Sequence, residues 1–201
     1  MIVKVCGMRE AQNVADVAAL HPTMMGFIFY APSSRYVGDS VPMTPNGVKR
    51  VGVFVNASVE EILERVERHS LDVVQLHGAE PVAQCEQLRG AGVEVVKAIS
   101  VAAAEDVVCA ALYDGHVDWL LFDTKCVGYG GSGVSFDWGV LDEYRGDTPF
   151  LLSGGVDETM VADICGLRHA SFVGVDLNSR FELSPAMKDV ARLEQFIKRL
   201  K

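Results

Sequence analysis

Apolar, β-branched-rich runs recur along the chain at a near-even interval: IVKVC from residue 2, MGFIFY from 25, RVGVFV from 50, DVVQL from 72, VEVVKAI from 93, DWLLFD from 118, TPFLLS from 148 and SFVGVDL from 171. Their starts lie about 21 to 30 residues apart, which leaves room for a strand, a turn, a helix of about ten residues and a second turn. Helical patterns fill the intervals. SVEEILERVERH places Ser58 at an N-cap with Glu61 three residues on, a capping box. SPAMKDVARLEQFIKRL predicts a closing helix with Ser184 as its cap and Pro185 at its first position. Eight such units predict an α/β fold of the closed (β/α)8 barrel type, because a parallel sheet needs both faces covered and closure removes its edges. At 201 residues the chain is small for that fold and reads as one domain spanning 1–201.

Alternation along each strand sorts side chains into those facing the helices and those facing the barrel axis. Val3 and Val5 stand opposite Lys4 and Cys6, Val74 and Leu76 opposite Gln75 and His77, and Leu120 and Phe122 opposite Leu121 and Asp123. Val173, Val175 and Leu177 stand opposite Gly174, Asp176 and Asn178. The polar members fall inward, at the C-terminal strand ends where barrel enzymes build their sites. Asp123 is thereby grouped with Cys6, His77 and Asp176. An isolated cysteine in an apolar segment is usually a small buried hydrophobe, and Cys85, Cys109, Cys126 and Cys165 are read as structure or surface. Cys6 differs: it ends a strand beside Lys4, whose charge would stabilise a thiolate, and Gly7 lets the chain turn away from it. On that reading Cys6 is alkylated ahead of the other four. A lone histidine is more often structural than catalytic, so His77 is a secondary candidate.

Two glycine loops, GYGGSG at 128–133 and SGGV at 153–156, are either turns alone or places of close backbone approach to an anion. Barrels commonly hold a phosphate between the loops after strands seven and eight, beside a short extra helix. Gly154 and Gly155 occupy the first of those loops, and Ser179 and Arg180 the second, where such a helix could begin. APSSRYVGDSVPMTP, residues 31–45, is the candidate mobile lid on its Pro, Ser and Gly content.

Composition narrows the ligand class. A net charge of −9 and a pI near 5.0 argue against nucleic acid or an anionic membrane surface, so an anionic ligand must be met by a local site. The five cysteines include no CxxC pair and no zinc spacing, as expected of reduced thiols in the cytoplasm. No signal segment and no apolar run approaching 18 residues is present, so no membrane span is expected. His77 and Asp176 alone are too few to hold a metal, and no obligate protein partner is evident.

With these residues in view, the chain resembles the phosphoribosylanthranilate isomerase family of tryptophan biosynthesis. The resemblance lies in KVCG at 4–7, GFIFYAPSSRYV at 26–37, VGVFVN at 51–56, VVQLHG at 73–78, LFDTK with GGSG and FDW from 121 to 138, LLSGGV at 151–156, and GVDLNS with Glu182. It runs in order from end to end. It implies a (β/α)8 barrel without cofactor or metal, and a small phosphorylated substrate, N-(5-phosphoribosyl)anthranilate, isomerised to 1-(2-carboxyphenylamino)-1-deoxyribulose 5-phosphate. It also implies Cys6 as general base, Asp123 as general acid and Arg35 as the partner of the anthranilate carboxylate. His77, Gly154, Gly155, Asp176, Ser179 and Arg180 complete the expected substrate site. The residue types suit the chemistry. Opening an aldosylamine needs an acid near its ring oxygen, and a carboxyl at an apolar strand end sits where burial disfavours the charged form. Loss of the C2 proton from the resulting Schiff base needs a base on the other side.

Two stretches depart from the common family form. NSRFE leaves Arg180 either clamping a phosphate or pointing to solvent, and YAPSSRYV stands where YPKSPRYV is commoner. Rivals on the same fold fit less well. The histidine-pathway isomerase takes a substrate with two phosphates, whereas the loops after strands three and four, FVNAS and LHGAE, hold no second GG. A catalytically dead sugar-phosphate sensor would keep SGGV but lose the acid or the base.

Overall fold

Eight parallel strands pair in sequence order and the last returns to the first, closing a barrel. They are β1 (Ile2–Val5), β2 (Met24–Ile28), β3 (Lys49–Phe54), β4 (Val73–Leu76), β5 (Glu94–Val101), β6 (Trp119–Thr124), β7 (Phe150–Leu152) and β8 (Phe172–Leu177). Each overlaps an apolar run predicted from the sequence. The computed structural model describes residues 1–125 and 136–200; the GYGGSG loop and Cys126 lie outside the described residues. Closure depends on Gly174, because a Cβ there would collide with the Ile2 carbonyl on the neighbouring strand.

The two faces separate as alternation predicts. Val5, Phe27, Val74, Leu76, Leu120, Phe122, Val175 and Leu177 pack outward into the core shared with the helices. Val51, Val53, Val73, Val96, Ala98, Leu121 and Leu151 fill the barrel interior, with Cys6 above them. Val173 is the exception: predicted to face outward, it packs on the interior cluster. The β7–β8 register slips between Phe150 and Leu151, so that Phe150 pairs with Phe172 but Leu151 with Gly174. Val173 is the extra residue of that bulge, and a bulge reverses local alternation.

The helices on the outside are α1 (Ala11–Ala18), α2 (Val59–His69), α3 (Val82–Gly90), α4 (Ala104–Cys109), α5 (Val161–Gly166) and α6 (Val190–Leu200). Ser58 caps α2 as expected, its hydroxyl accepting the Glu61 amide at 3.2 Å. Among the described residues the β2–β3 connection contains no helix: Pro32, Pro42 and Pro45 with Gly38 and Gly47 keep 29–48 irregular apart from one bridge at Tyr36. The β6–β7 connection carries a 3-10 turn at 138–143. No described helix is long and apolar enough to cross a membrane.

The start of α6 differs from expectation. Ser184 is not its cap and Pro185 is not its first residue. Glu182–Ser184 and Met187–Lys188 form a small antiparallel hairpin, β9 and β10, turning at Ala186 with φ +67°. The helix begins at Val190, where the Asp189 carboxylate accepts the Arg192 amide at 3.1 Å. The local Ser-Pro signal loses to tertiary pairing. The hairpin buries Lys188 against Glu182, and a helix from Pro185 would separate them.

Candidate active site

The polar strand ends open into a pocket at the C-terminal mouth of the barrel. All nine residues singled out from the sequence line it: Cys6, Arg35, His77, Asp123, Gly154, Gly155, Asp176, Ser179 and Arg180. They come from β1, the loop after β2, and the ends of β4, β6, β7 and β8. The 31–45 stretch contributes Ser33 and Arg35 to the wall.

The floor is charged. Lys4 is fully buried and donates to Asp176 Oδ1 at 2.9 Å. Burial opposes the ammonium charge, but Asp176 and then Cys6 outweigh it and hold the Lys4 pKa above its ordinary value. Burial likewise pushes the Asp176 carboxyl up, against the pull of Lys4. Beside this pair stands Cys6, 3% exposed, in space that Gly26 leaves open; a Cβ on Gly26 would come within 2.7 Å of the sulfur.

The expectation that Lys4 makes Cys6 an accessible thiolate is corrected here. Burial raises the thiol pKa; Lys4 lowers it and Asp176 raises it again, and the net direction is up. Cys6 is buried whereas Cys109 and Cys165 are exposed, which removes the structural ground for expecting Cys6 to be alkylated first.

Opposite lies an ordered polar chain. Gln75 Nε2 is 2.8 Å from His77 Nδ1, and His77 Nε2 is 3.2 Å from Asp123 Oδ2. The Gln75 amide nitrogen, which can only donate, meets the ring at Nδ1, and the opposite ring nitrogen lies beside the aspartate. The other Asp123 oxygen accepts the Thr124 amide at 2.9 Å. His77 is itself fixed by the loop it begins. Buried Lys97 donates to the Gly78 carbonyl at 2.7 Å and to Glu80 at 3.1 Å, while Glu80 accepts the Asn56 and Gly78 amides at 2.8 and 2.9 Å.

Arg35 reaches the pocket against Glu182, which accepts Nε at 2.9 Å and Nη2 at 2.6 Å. Its stem passes over Gly7, where φ is +72° and a Cβ would lie 2.7 Å from Arg35 Cδ. On the far side Gly154 and Gly155 both have positive φ, +81° and +71°, a backbone conformation that glycine adopts without strain, and both line the pocket. A Cβ on Gly154 would collide with the Thr124 side chain. Ser179–Phe181 forms the short helical turn expected after β8, and Arg180 sits exposed at the rim.

Several site residues were not singled out. Gln75 had the right parity but no assigned role. Tyr30, Ser153 and the apolar wall of Ile28, Val53 and Val55 carry no chemical signature in sequence. Lys188 was hidden in a stretch that reads as helix.

Comparison with known proteins adds an independent line. The family model described as N-(5'phosphoribosyl)anthranilate (PRA) isomerase matches residues 3–199. The chain is 46% identical over 209 residues to the N-(5'-phosphoribosyl)anthranilate isomerase of Parabacteroides distasonis, covering all of this chain and 93% of that protein. It is 46% identical over 201 residues to that of Phocaeicola vulgatus, covering 100% and 98%. Among solved structures, phosphoribosyl anthranilate isomerase from Thermotoga maritima superposes with a TM-score of 0.84 at 33% identity, covering 100% of this chain and 98% of that one. A phosphoribosyl anthranilate isomerase in complex with reduced 1-(o-carboxyphenylamino)-1-deoxyribulose 5-phosphate superposes with a TM-score of 0.81 at 29% identity, with the same coverage.

Proposed function

The chain belongs to the N-(5'-phosphoribosyl)anthranilate isomerase family, isomerases of tryptophan biosynthesis, and from that premise we propose that Cys6 is its general base and Asp123 its general acid. The reaction is the Amadori rearrangement of N-(5-phosphoribosyl)anthranilate to 1-(2-carboxyphenylamino)-1-deoxyribulose 5-phosphate, carried out by residues 1–201 acting as one catalytic domain in the cytoplasm. The observation that carries the reading is that a thiol at the end of β1 and a carboxyl on β6 line one pocket together with Arg35 and the Gly154–Gly155 loop.

In this mechanism Asp123 gives its proton to the furanose oxygen, the C1–O bond breaks, and a Schiff base forms between C1 and the aniline nitrogen. Cys6 takes the proton from C2, and the electron pair moves into the C1–C2 bond to give an enolamine. Proton return at C1 with loss of the enol proton yields the ketone. His77 stands 3.2 Å from Asp123 Oδ2, and the other carboxylate oxygen is held by the Thr124 amide. Burial raises the Cys6 pKa, so the thiol first releases its proton to solvent, and the cationic Schiff base then favours the thiolate that takes the C2 proton.

Substrate binding follows the charges. Arg35 meets the anthranilate carboxylate as a planar fork, and Ile28, Val53 and Val55 face the aromatic ring. Gly154 and Gly155 offer backbone amides to the phosphate, with Ser179 and Arg180 across from them. Asp176, held by Lys4, faces the sugar.

The decay of substrate fluorescence on conversion tests the reading. Cys6→Ser and Asp123→Asn should each fold, bind the reduced product analogue, and lose roughly 10² to 10⁴ in kcat. Wild-type turnover by either variant removes that residue from the mechanism.

A further inference from the structure

The group that holds Arg35 has more positive charge than orientation requires. Glu182 accepts from Arg35 Nε and Nη2 and also, at 2.6 Å, from the ammonium of Lys188. Lys188 is 1% exposed and donates a second time to Asn178 Oδ1 at 2.7 Å. Both of its partners are acceptors, which an ammonium satisfies, and one is a carboxylate; burial holds its pKa below the ordinary lysine value, with Glu182 opposing that in part. Its backbone is anchored separately, its N–H donating to Asn13 Oδ1 at 2.8 Å and its carbonyl accepting from Asn13 Nδ2 at 2.9 Å.

Arg35 and Glu182 alone would form a neutral pair, a poor receptor for an anion. Lys188 returns the cluster to a net charge of +1. The neighbouring Lys4–Asp176 pair sums to zero and leaves that charge unopposed. Among the described residues Arg35 Nη1 has no protein partner, so the surplus is presented on the free edge of the guanidinium. In a chain of net charge −9 an anionic substrate meets an unfavourable field until it reaches such a site.

We propose that Lys188 is a specificity-determining residue: without touching the substrate, it supplies the positive charge that lets Arg35 select carboxylate-bearing arylamines over uncharged ones. The proposal rests on the assignment of the substrate carboxylate to Arg35.

The test is a ratio of dissociation constants, measured calorimetrically, for reduced 1-(o-carboxyphenylamino)-1-deoxyribulose 5-phosphate and its counterpart lacking the carboxylate. Effects on Cys6 or on the phosphate site are common to both ligands and cancel. Lys188→Met should lower the preference for the carboxylate by about tenfold, the scale of one charge-assisted interaction. Glu182→Gln combined with Lys188→Met leaves Arg35 as the cluster's one charge, again +1, and should restore most of the preference. An unchanged ratio in Lys188→Met overturns the proposal, as does a double variant no better than the single one. Arg35→Ala separates the premise: if it keeps the preference, the carboxylate assignment is wrong, whatever Lys188 does. Should Lys188→Met fail to fold, the double variant at +1 is compared with Glu182→Gln at +2. A stronger carboxylate preference in Glu182→Gln supports the charge argument, and equal ratios overturn it.

Discussion

Replacing Lys4 by methionine keeps most of the side-chain volume at the barrel floor and removes only the charge, leaving Asp176 5% exposed with its partner gone. At an effective dielectric near 20, two unit charges 2.9 Å apart attract by ~6 kcal/mol. Most of that offsets the cost of burying them, and the measured loss on deleting one partner of such a pair is about 3–5 kcal/mol. Against a typical domain stability of about 5–15 kcal/mol, the variant should still fold but unfold at much lower urea. The deficit has a pH sign. Burial already raises the Asp176 pKa, and without Lys4 it rises further. A carboxyl whose folded pKa exceeds its unfolded one favours the folded state at low pH, and that advantage is lost as pH rises through the folded pKa. Urea melts at about pH 8 and about pH 5.5 should therefore show the gap between Lys4→Met and wild type shrinking at the lower pH. Lys4→Met with Asp176→Asn should recover much of the loss, a coupling of at least ~2 kcal/mol. Effects that add to within ~0.5 kcal/mol, or a gap that is equal at both pH values, would refute the pairing argument.

Arg35→Ala should raise KM by roughly 10- to 100-fold with a much smaller change in kcat, as expected for one charge-assisted contact; a collapse of kcat at unchanged KM would place Arg35 in the chemistry instead. Gly7→Ala should cost about 1–3 kcal/mol of stability for a side chain at φ +72°. Because its Cβ would press on Arg35 Cδ at 2.7 Å and Asn178 Oδ1 at 2.8 Å, KM should rise as well, and an unchanged KM would show that the guanidinium tolerates the shift. Iodoacetamide followed by mass spectrometry should modify the exposed Cys109 and Cys165 well before Cys6, and labelling of Cys6 first would contradict its burial. A base that works as thiolate, with its pKa raised in the free enzyme, requires kcat/KM to keep rising with pH above neutrality; a profile flat from about pH 6 to 9 would exclude that role.

The fold was legible because parallel strands buried on both faces read as nearly continuous apolar runs, and runs such as RVGVFV and DWLLFD have few other uses. The site was legible for a related reason. Lys4, Cys6, His77, Asp123 and Asp176 each interrupt an apolar strand at its C-terminal end, and the period of two says which way each points. The same rule fails at Val173, since one inserted residue in β8 leaves no trace in a hydropathy pattern.

What escaped is the layer behind the reacting groups, made by contacts that sequence spacing does not encode. The sequence sets Lys4 and Cys6 two residues apart on one face, which suggests a depressed thiol pKa. Asp176, 172 residues away, takes the ammonium at 2.9 Å, and burial then decides the sign. Arg35 was found from a resemblance, whereas the carboxylate that orients it lies 147 residues further on. Lys188 lay within a helical pattern whose true start is Val190, capped by Asp189. In each case the reacting side chain is local information, and its charge state belongs to a partner brought in by barrel closure. A variant library confined to the strand ends would therefore reach Cys6, Asp123 and the Lys4–Asp176 pair, while Lys188, to which we assign the carboxylate preference, would be found only in the hairpin after β8.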